Sequence, residues 1–223
     1  MMDNANLAPV LEFLSQLQKH NNREWFEQNR AGYQSAKEQF EALVNQLIAA
    51  LRAIEDLRDL TAKDCVMRIY RDVRFSKDKA PYRTHFAAAI AAGGRKSPRM
   101  PYYVQIAPQD QSFLAGGLYA PTGDQLAKFR AAIDHNAKPF KALLNTKSFK
   151  HLFGKLSGET LRTAPQGYAR DHPEIELLRL KQVVASHPLL DKTILATTFP
   201  THIVEIFTGL KPLLDHLNTL LLL

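Results

Sequence analysis

The chain has 223 residues, 45% of them hydrophobic and 23% charged, with 29 Lys and Arg against 22 Asp and Glu for a net charge of +7. A chain of that length buries about 70% of its unfolded surface, and the balance of apolar to charged residues excludes the disordered and fibrous classes. Its single cysteine, Cys65, excludes an intramolecular disulfide and the cysteine-rich zinc patterns.

The N-terminal stretch MMDNANLAPVLEFLSQLQKH has neither a basic start nor an unbroken apolar core, and no segment reaches the roughly 18 apolar residues of a membrane span. The expected compartment is the cytoplasm, with no membrane partner. Leu7, Val10, Leu11, Leu14 and Leu17 share one helical face. Phe26, Tyr33, Phe40, Leu43, Leu47, Leu51 and Ile54 continue that period, predicting helices over about 7–55. The helices meet at KHNNREWF, where Asn21 or Asn22 is suited to cap the second and Glu24 to face its positive end. Trp25 reads as a packing anchor between them.

From residue 64 the period drops to two. Cys65, Met67 and Ile69 point one way, and Val66, Arg68 and Tyr70 the other. THFAAAIAA, YYVQIAP and SFLAGGLYA predict three further strands, and GGRKSPRMP supplies turn residues between the first two of these. Short connections favour antiparallel pairing across a sheet over about 64–119. Helix returns with PTGDQLAKFRAAIDHN. The Gly-, Ser- and Pro-containing KSFKHLFGKLSGETLRTAPQGYARDHP is expected to cross the surface with a turn or short strand inside it. PEIELLRLKQVVASHP then reads as a helix bounded by prolines, and a last helix runs from near Thr201. The expected fold is α+β in one domain over residues 1–223. An antiparallel sheet of four or more strands packs against N-terminal and C-terminal helices, the latter over about 122–223.

No phosphate-loop, dinucleotide, zincin or nucleophile-elbow motif is present, so no cofactor is indicated. The richest stretch is MRIYRDVRFSKDKAPYRTHF. Arg68 within a strand needs a carboxylate, an anionic ligand or an aqueous cavity. Arg71 and Arg74 flank Asp72, while Lys77, Lys79 and Arg83 are opposed only by Asp78. Guanidinium groups hold carboxylate and phosphate bidentately, so Arg68, Arg71, Asp72, Arg74, Lys77, Lys79 and Tyr82 form a candidate oxyanion site. The bland alternative is a solvated hairpin laced with its own ion pairs. His85 is the candidate proton donor or acceptor, or else a structural histidine bonded to Asp72 or Asp78. Cys65 reads as a buried small residue. Gly116 and Gly117 suit close approach of a ligand or of a second backbone, with Tyr119 beside them. Tyr168, Arg170, Asp171 and His172 form a second polar cluster, a turn and cap unless it folds against the first. No close metal-ligand spacing occurs; Asp72, Asp78, His85 and His172 would have to converge in space.

RIYRDVRFSKDKAPYRTHF resembles the signature of the uncharacterised family catalogued as domain of unknown function 2461. FLSQLQKHNNREWFEQNRAGY, YYVQIAP, AGGLYAPTGDQLAKFRAAI and GYARDHPEIELLRLKQ resemble it too, so the likeness spans nearly the whole chain. The resemblance implies an α+β fold and adds no catalytic assignment. It also marks two departures, Val73 where the family often has threonine and Ala115 where it often has a third glycine.

Two functions fit these residues. One is a protein that binds a small phosphate- or carboxylate-bearing molecule in a basic cleft, with enzymatic activity left open. The other is a nucleic-acid or protein-binding module in which GGRKSPRMPYY offers Tyr102 and Tyr103 for stacking.

Overall fold

The computed structural model describes residues 5–57 and 59–222. They form two compact units, each assembled from separate stretches. The first holds Met1–Ser97, Tyr103–Leu114 and Pro188–Glu205, and the second Pro98–Tyr102, Ala115–His187 and Ile206–Leu223.

Helix α1 (Ala8–Lys19) buries Val10, Leu11, Phe13, Leu14 and Leu17, the face read from the sequence. Asn22 begins α2 (Arg23–Gln28) by accepting the Trp25 N–H on its side chain at 2.9 Å, so the predicted cap is made. The expected long second helix is broken at Asn29, after which α3 (Arg30–Leu51) begins. α1 packs on α3. Phe40 of α3 stacks on Phe86 with centroids 5.5 Å apart, which sets the helix against β1 (Phe86–Ile90), a strand buried throughout. Trp25 packs beside Phe13 and stacks on the His20 ring.

The antiparallel sheet has four strands in the order β1-β2-β3-β4, where β2 is Tyr102–Ile106, β3 Ser112–Leu118 and β4 Val183–Leu189. Four were expected, yet the set differs. The segment read as the first strand starts with a helical turn, α4 (Ala62–Cys65), because the Asp64 carboxylate accepts from both the Thr61 N–H (3.0 Å) and its hydroxyl (2.7 Å). Beyond it only isolated antiparallel bridges form, Val66 with Ala88 and Tyr70 with Tyr82. The fourth strand comes instead from a stretch read as helix. There α8 (Ile175–Leu178) lasts one turn and β4 follows, with Val183, Ala185 and Leu189 buried. Adjacent Val183 and Val184 lose side-chain freedom in a helix and suit a pleated surface.

In the second unit the expected helix forms as α5 (Gly123–Asn136), capped by Thr122 and Gln125 and burying Phe129 and Ile133. Two short helices follow, α6 (Lys138–Leu144) and α7 (Lys147–Phe153), and Phe140 meets Phe129 edge-on at 5.4 Å. The chain then crosses to residue 174 without regular helix or strand, bridging at Ser157 with Val184 and Thr160 with Leu180. In the first unit α9 (Asp191–Ile194) is a single turn. α10 (Phe199–Leu222) supplies the buried Phe207, Leu210, Leu213, Leu214 and Leu217 to the second. No helix among the described residues is long and apolar enough to cross a membrane.

Candidate functional site

The basic stretch lies in the first unit as a loop with a tied base and a charged tip. At the base the Arg71 N–H donates to Pro81 O (2.9 Å) and the Arg83 N–H to Ile69 O (2.7 Å). Asn21, at the corner between α1 and α2, anchors this base through its amide. Its Nδ2 donates to Tyr82 O at 2.9 Å, and its Oδ1 accepts the Tyr82 N–H at 3.1 Å. The Tyr82 ring stacks on Phe26 with centroids 3.9 Å apart and an 11° interplanar angle. Tyr82 is therefore buried and holds the loop, instead of meeting a ligand as expected.

Beyond the base, half of the cations hold the loop together. Arg71 Nη1 donates to Asp78 Oδ2 at 2.6 Å and to Ala80 O at 3.0 Å. The Ala80 N–H bonds the other oxygen of Asp78 at 2.9 Å, and this bond, helped by Arg71, holds the Asp78 carboxyl below its usual range. Arg74 grips Asp72 with a two-pronged fork, Nε at 3.0 Å and Nη2 at 2.7 Å, which lowers the Asp72 carboxyl in turn. Lys79 Nζ donates to Val73 O (3.0 Å) and Arg74 O (3.4 Å), closing the tip. Arg68, Lys77 and Arg83 are left exposed, and their side chains have no partner among the described residues. The expected polar cavity around Arg68 is not what surrounds it. The segment pairs only by isolated bridges, and Arg68 points to solvent while Cys65 and Ile69, on the opposite phase, are buried.

His85 is half-buried. Burial, with the Arg83 guanidinium adding to it, pushes the imidazole down to about 4. The two aspartates considered as its partners are engaged by Arg74, Arg71 and the Ala80 N–H. Cys65 is fully buried, and that burial pushes its thiol up to about 12, so it stays protonated and unreactive.

The other expected site residues lie in the second unit. Gly117 has φ +126°, and a Cβ there would come 2.1 Å from Val183 O of β4; a Cβ on Gly116 would meet Leu210 at 2.5 Å and Pro101 O at 2.8 Å. The close approach these glycines permit is thus made by the protein's own strand and helix. Tyr119 is exposed. His172 is held at both nitrogens: Nδ1 accepts the Glu174 N–H at 3.0 Å, which puts the proton on Nε2, 3.0 Å from Asp134 Oδ1. Neither nitrogen remains to take a proton from a substrate. The Tyr168 ring meets His172 edge-on at 6.2 Å, and Arg170 and Asp171 are exposed. Each cluster has its bonds inside its own unit.

The loop proposed for stacking is built differently from the expectation. Tyr102 is buried against Phe207, Tyr103 packs on Phe113 with its hydroxyl 3.1 Å from Gln105 Oε1, and Arg95 donates to Lys63 O at 2.6 Å. Two residues of consequence escaped the sequence reading. Asn21 was considered only as a cap. Phe75, at the tip of the basic loop, is 96% exposed with the Arg74 guanidinium 5.9 Å from its ring centroid; the signal was an aromatic between Arg74 and Lys77 whose one apolar neighbour at strand or helix spacing is Val73. Among the described residues no three His, Cys, Asp or Glu side chains converge as a metal site would require.

A family model described as "Conserved hypothetical protein (DUF2461)" matches residues 9–216, nearly the whole chain. No curated protein and no solved structure matches the chain.

Proposed function

The chain belongs to the DUF2461 family, and we propose that it is a binding protein whose exposed loop over residues 68–83 takes a phosphate- or carboxylate-bearing partner. One observation carries the reading. Six cationic side chains stand in this segment against two carboxylates, and both carboxylates are occupied by Arg74 and Arg71, leaving Arg68, Lys77 and Arg83 exposed and unneutralised. Such a surface attracts anions at long range and bonds them at short range. It is a basic surface rather than a basic cleft, because these three side chains face solvent. No reaction is assigned to it. We take the cytoplasm as the working compartment, which the lone, buried thiol of Cys65 supports.

Arg68→Met separates binding from structure, since methionine retains much of the apolar stem and deletes the charge. Expected is a loss of about 1 kcal/mol or more in affinity for inorganic tripolyphosphate at low salt, with folding stability changed by no more than about 0.5 kcal/mol. Calorimetric titration beside a denaturation curve reads both. Lowered stability with undiminished tripolyphosphate binding would contradict the reading.

A further inference from the structure

An aromatic ring in the middle of a cationic loop is the feature anion binding alone does not explain. Phe75 is 96% exposed, forgoing the burial that normally decides where such a side chain sits. The loop that carries it is braced. Lys79 reaches back from the far side of the turn to the adjacent carbonyls of Val73 and Arg74, the Ser76 N–H closes it on Val73 O (3.3 Å), and Arg71 ties Asp78 to Ala80 at the return. These bonds fix the backbone turn that carries the ring. From Arg71 to Lys79 the one other apolar side chain is the part-buried Val73, so the ring is an apolar surface inside a charged stretch.

We infer that Phe75 is a base-stacking residue, and that the partner of the 68–83 loop is a single-stranded nucleic acid whose phosphates meet Arg68, Lys77 and Arg83. This rests on the anion-binding reading and names the partner class of that site. Charge complementarity selects the occupant: single strands present regularly spaced phosphates together with unpaired planar bases, and proteins that bind them combine a cationic track with aromatic platforms. The Arg74 guanidinium, 5.9 Å from the ring centroid, adds a cation beside the same platform. A small phosphate ligand would use the cations and leave the ring idle. The contact is sequence-tolerant, because every base has a π-face.

The test compares wild type, Phe75→Ala and Phe75→Trp for binding to a fluorescently labelled oligothymidylate of about 20 nucleotides at about 50 mM salt. Inorganic polyphosphate serves as an anion without bases, and vesicles of phosphatidylcholine and phosphatidylserine as an anionic membrane. Because Phe75 makes no buried contact, both variants are expected to melt with wild type. Expected is a loss of at least about fivefold in oligothymidylate affinity for Phe75→Ala, the lower end for one stacked base, with affinity kept by Phe75→Trp and polyphosphate binding unchanged in both. Oligothymidylate bound equally by wild type and Phe75→Ala, or not bound by wild type that binds polyphosphate, overturns the stacking role while leaving the anion site standing. Vesicle binding lost in Phe75→Ala, with oligothymidylate indifferent to the change, overturns it in favour of membrane insertion. Wild type that binds neither oligothymidylate nor polyphosphate overturns both readings.

Discussion

Burial pushes the His85 imidazole down to about 4, with Arg83 adding to the effect, whereas an unfolded histidine titrates near about 6.5. Between those values the unfolded chain binds more protons than the folded one, so stability is complete above about 6.5 and falls as pH is lowered toward 4. At about 1.36 kcal/mol per pH unit the upper limit is about 3 kcal/mol, which solvent at the partly exposed ring reduces to about 1–2 kcal/mol. His85→Gln should flatten the stability profile across that window; a profile indifferent to the substitution would mean His85 is not the group that is titrating. At neutral pH the ring is the neutral imidazole, with one N–H and without the acidic proton of the imidazolium, so the sequence marked His85 as lying beside the basic loop but could not register the burial that removes its general-acid form. Arg68 shows the same limit. Its phase opposite Cys65 and Ile69 was legible from the alternation, but whether that face met a cavity or solvent depends on where the neighbouring strand stops.

At the scale of elements, Gly117 is where β3 leaves no room for a side chain against β4. With φ +126° and a would-be Cβ 2.1 Å from Val183 O, Gly117→Ala combines left-handed backbone strain with overpacking. It should cost about 3 kcal/mol or more, measured by chemical denaturation; a loss below about 1 kcal/mol would mean β3 and β4 are not held at this spacing. The sequence offered this glycine to a ligand or a second backbone, and the second backbone is β4, from a stretch read as helix. PEIELLRL has helical composition and does form one turn as α8. The adjacent Val183 and Val184 in the remainder were the overlooked strand signal, masked by the prolines that seemed to bound a longer helix. The opposite holds at residues 64–65, the start of the expected sheet, where the Thr61 N–H and hydroxyl both donate to the Asp64 carboxylate and the chain winds a helical turn instead. In both cases local hydrogen bonding or side-chain branching outweighed a short periodic pattern. Where the pattern was long, in α1, α3, α5 and α10, it was sufficient.

For the whole molecule, the excess of positive charge acquires a location. The family match extends over residues 9–216, through stretches of both compact units, while the unneutralised cations of the 68–83 loop belong to the first unit alone. Counting charges in the sequence found this region; separating cations that build the loop from those left exposed required the partners of Arg71, Arg74 and Lys79 to be seen. The division gives the most direct measurement, polyphosphate affinity as a function of salt for wild type and for Arg68→Gln/Lys77→Gln/Arg83→Gln, with thermal melting as a folding control. Each released contact contributes to the slope of log K against log salt, by about 0.7–0.9 on nucleic acids. Expected for the triple variant is native melting, weaker binding at low salt and a distinctly shallower slope. A folded triple variant with the affinity and the slope of wild type would contradict the assignment of this loop as the anion-binding surface.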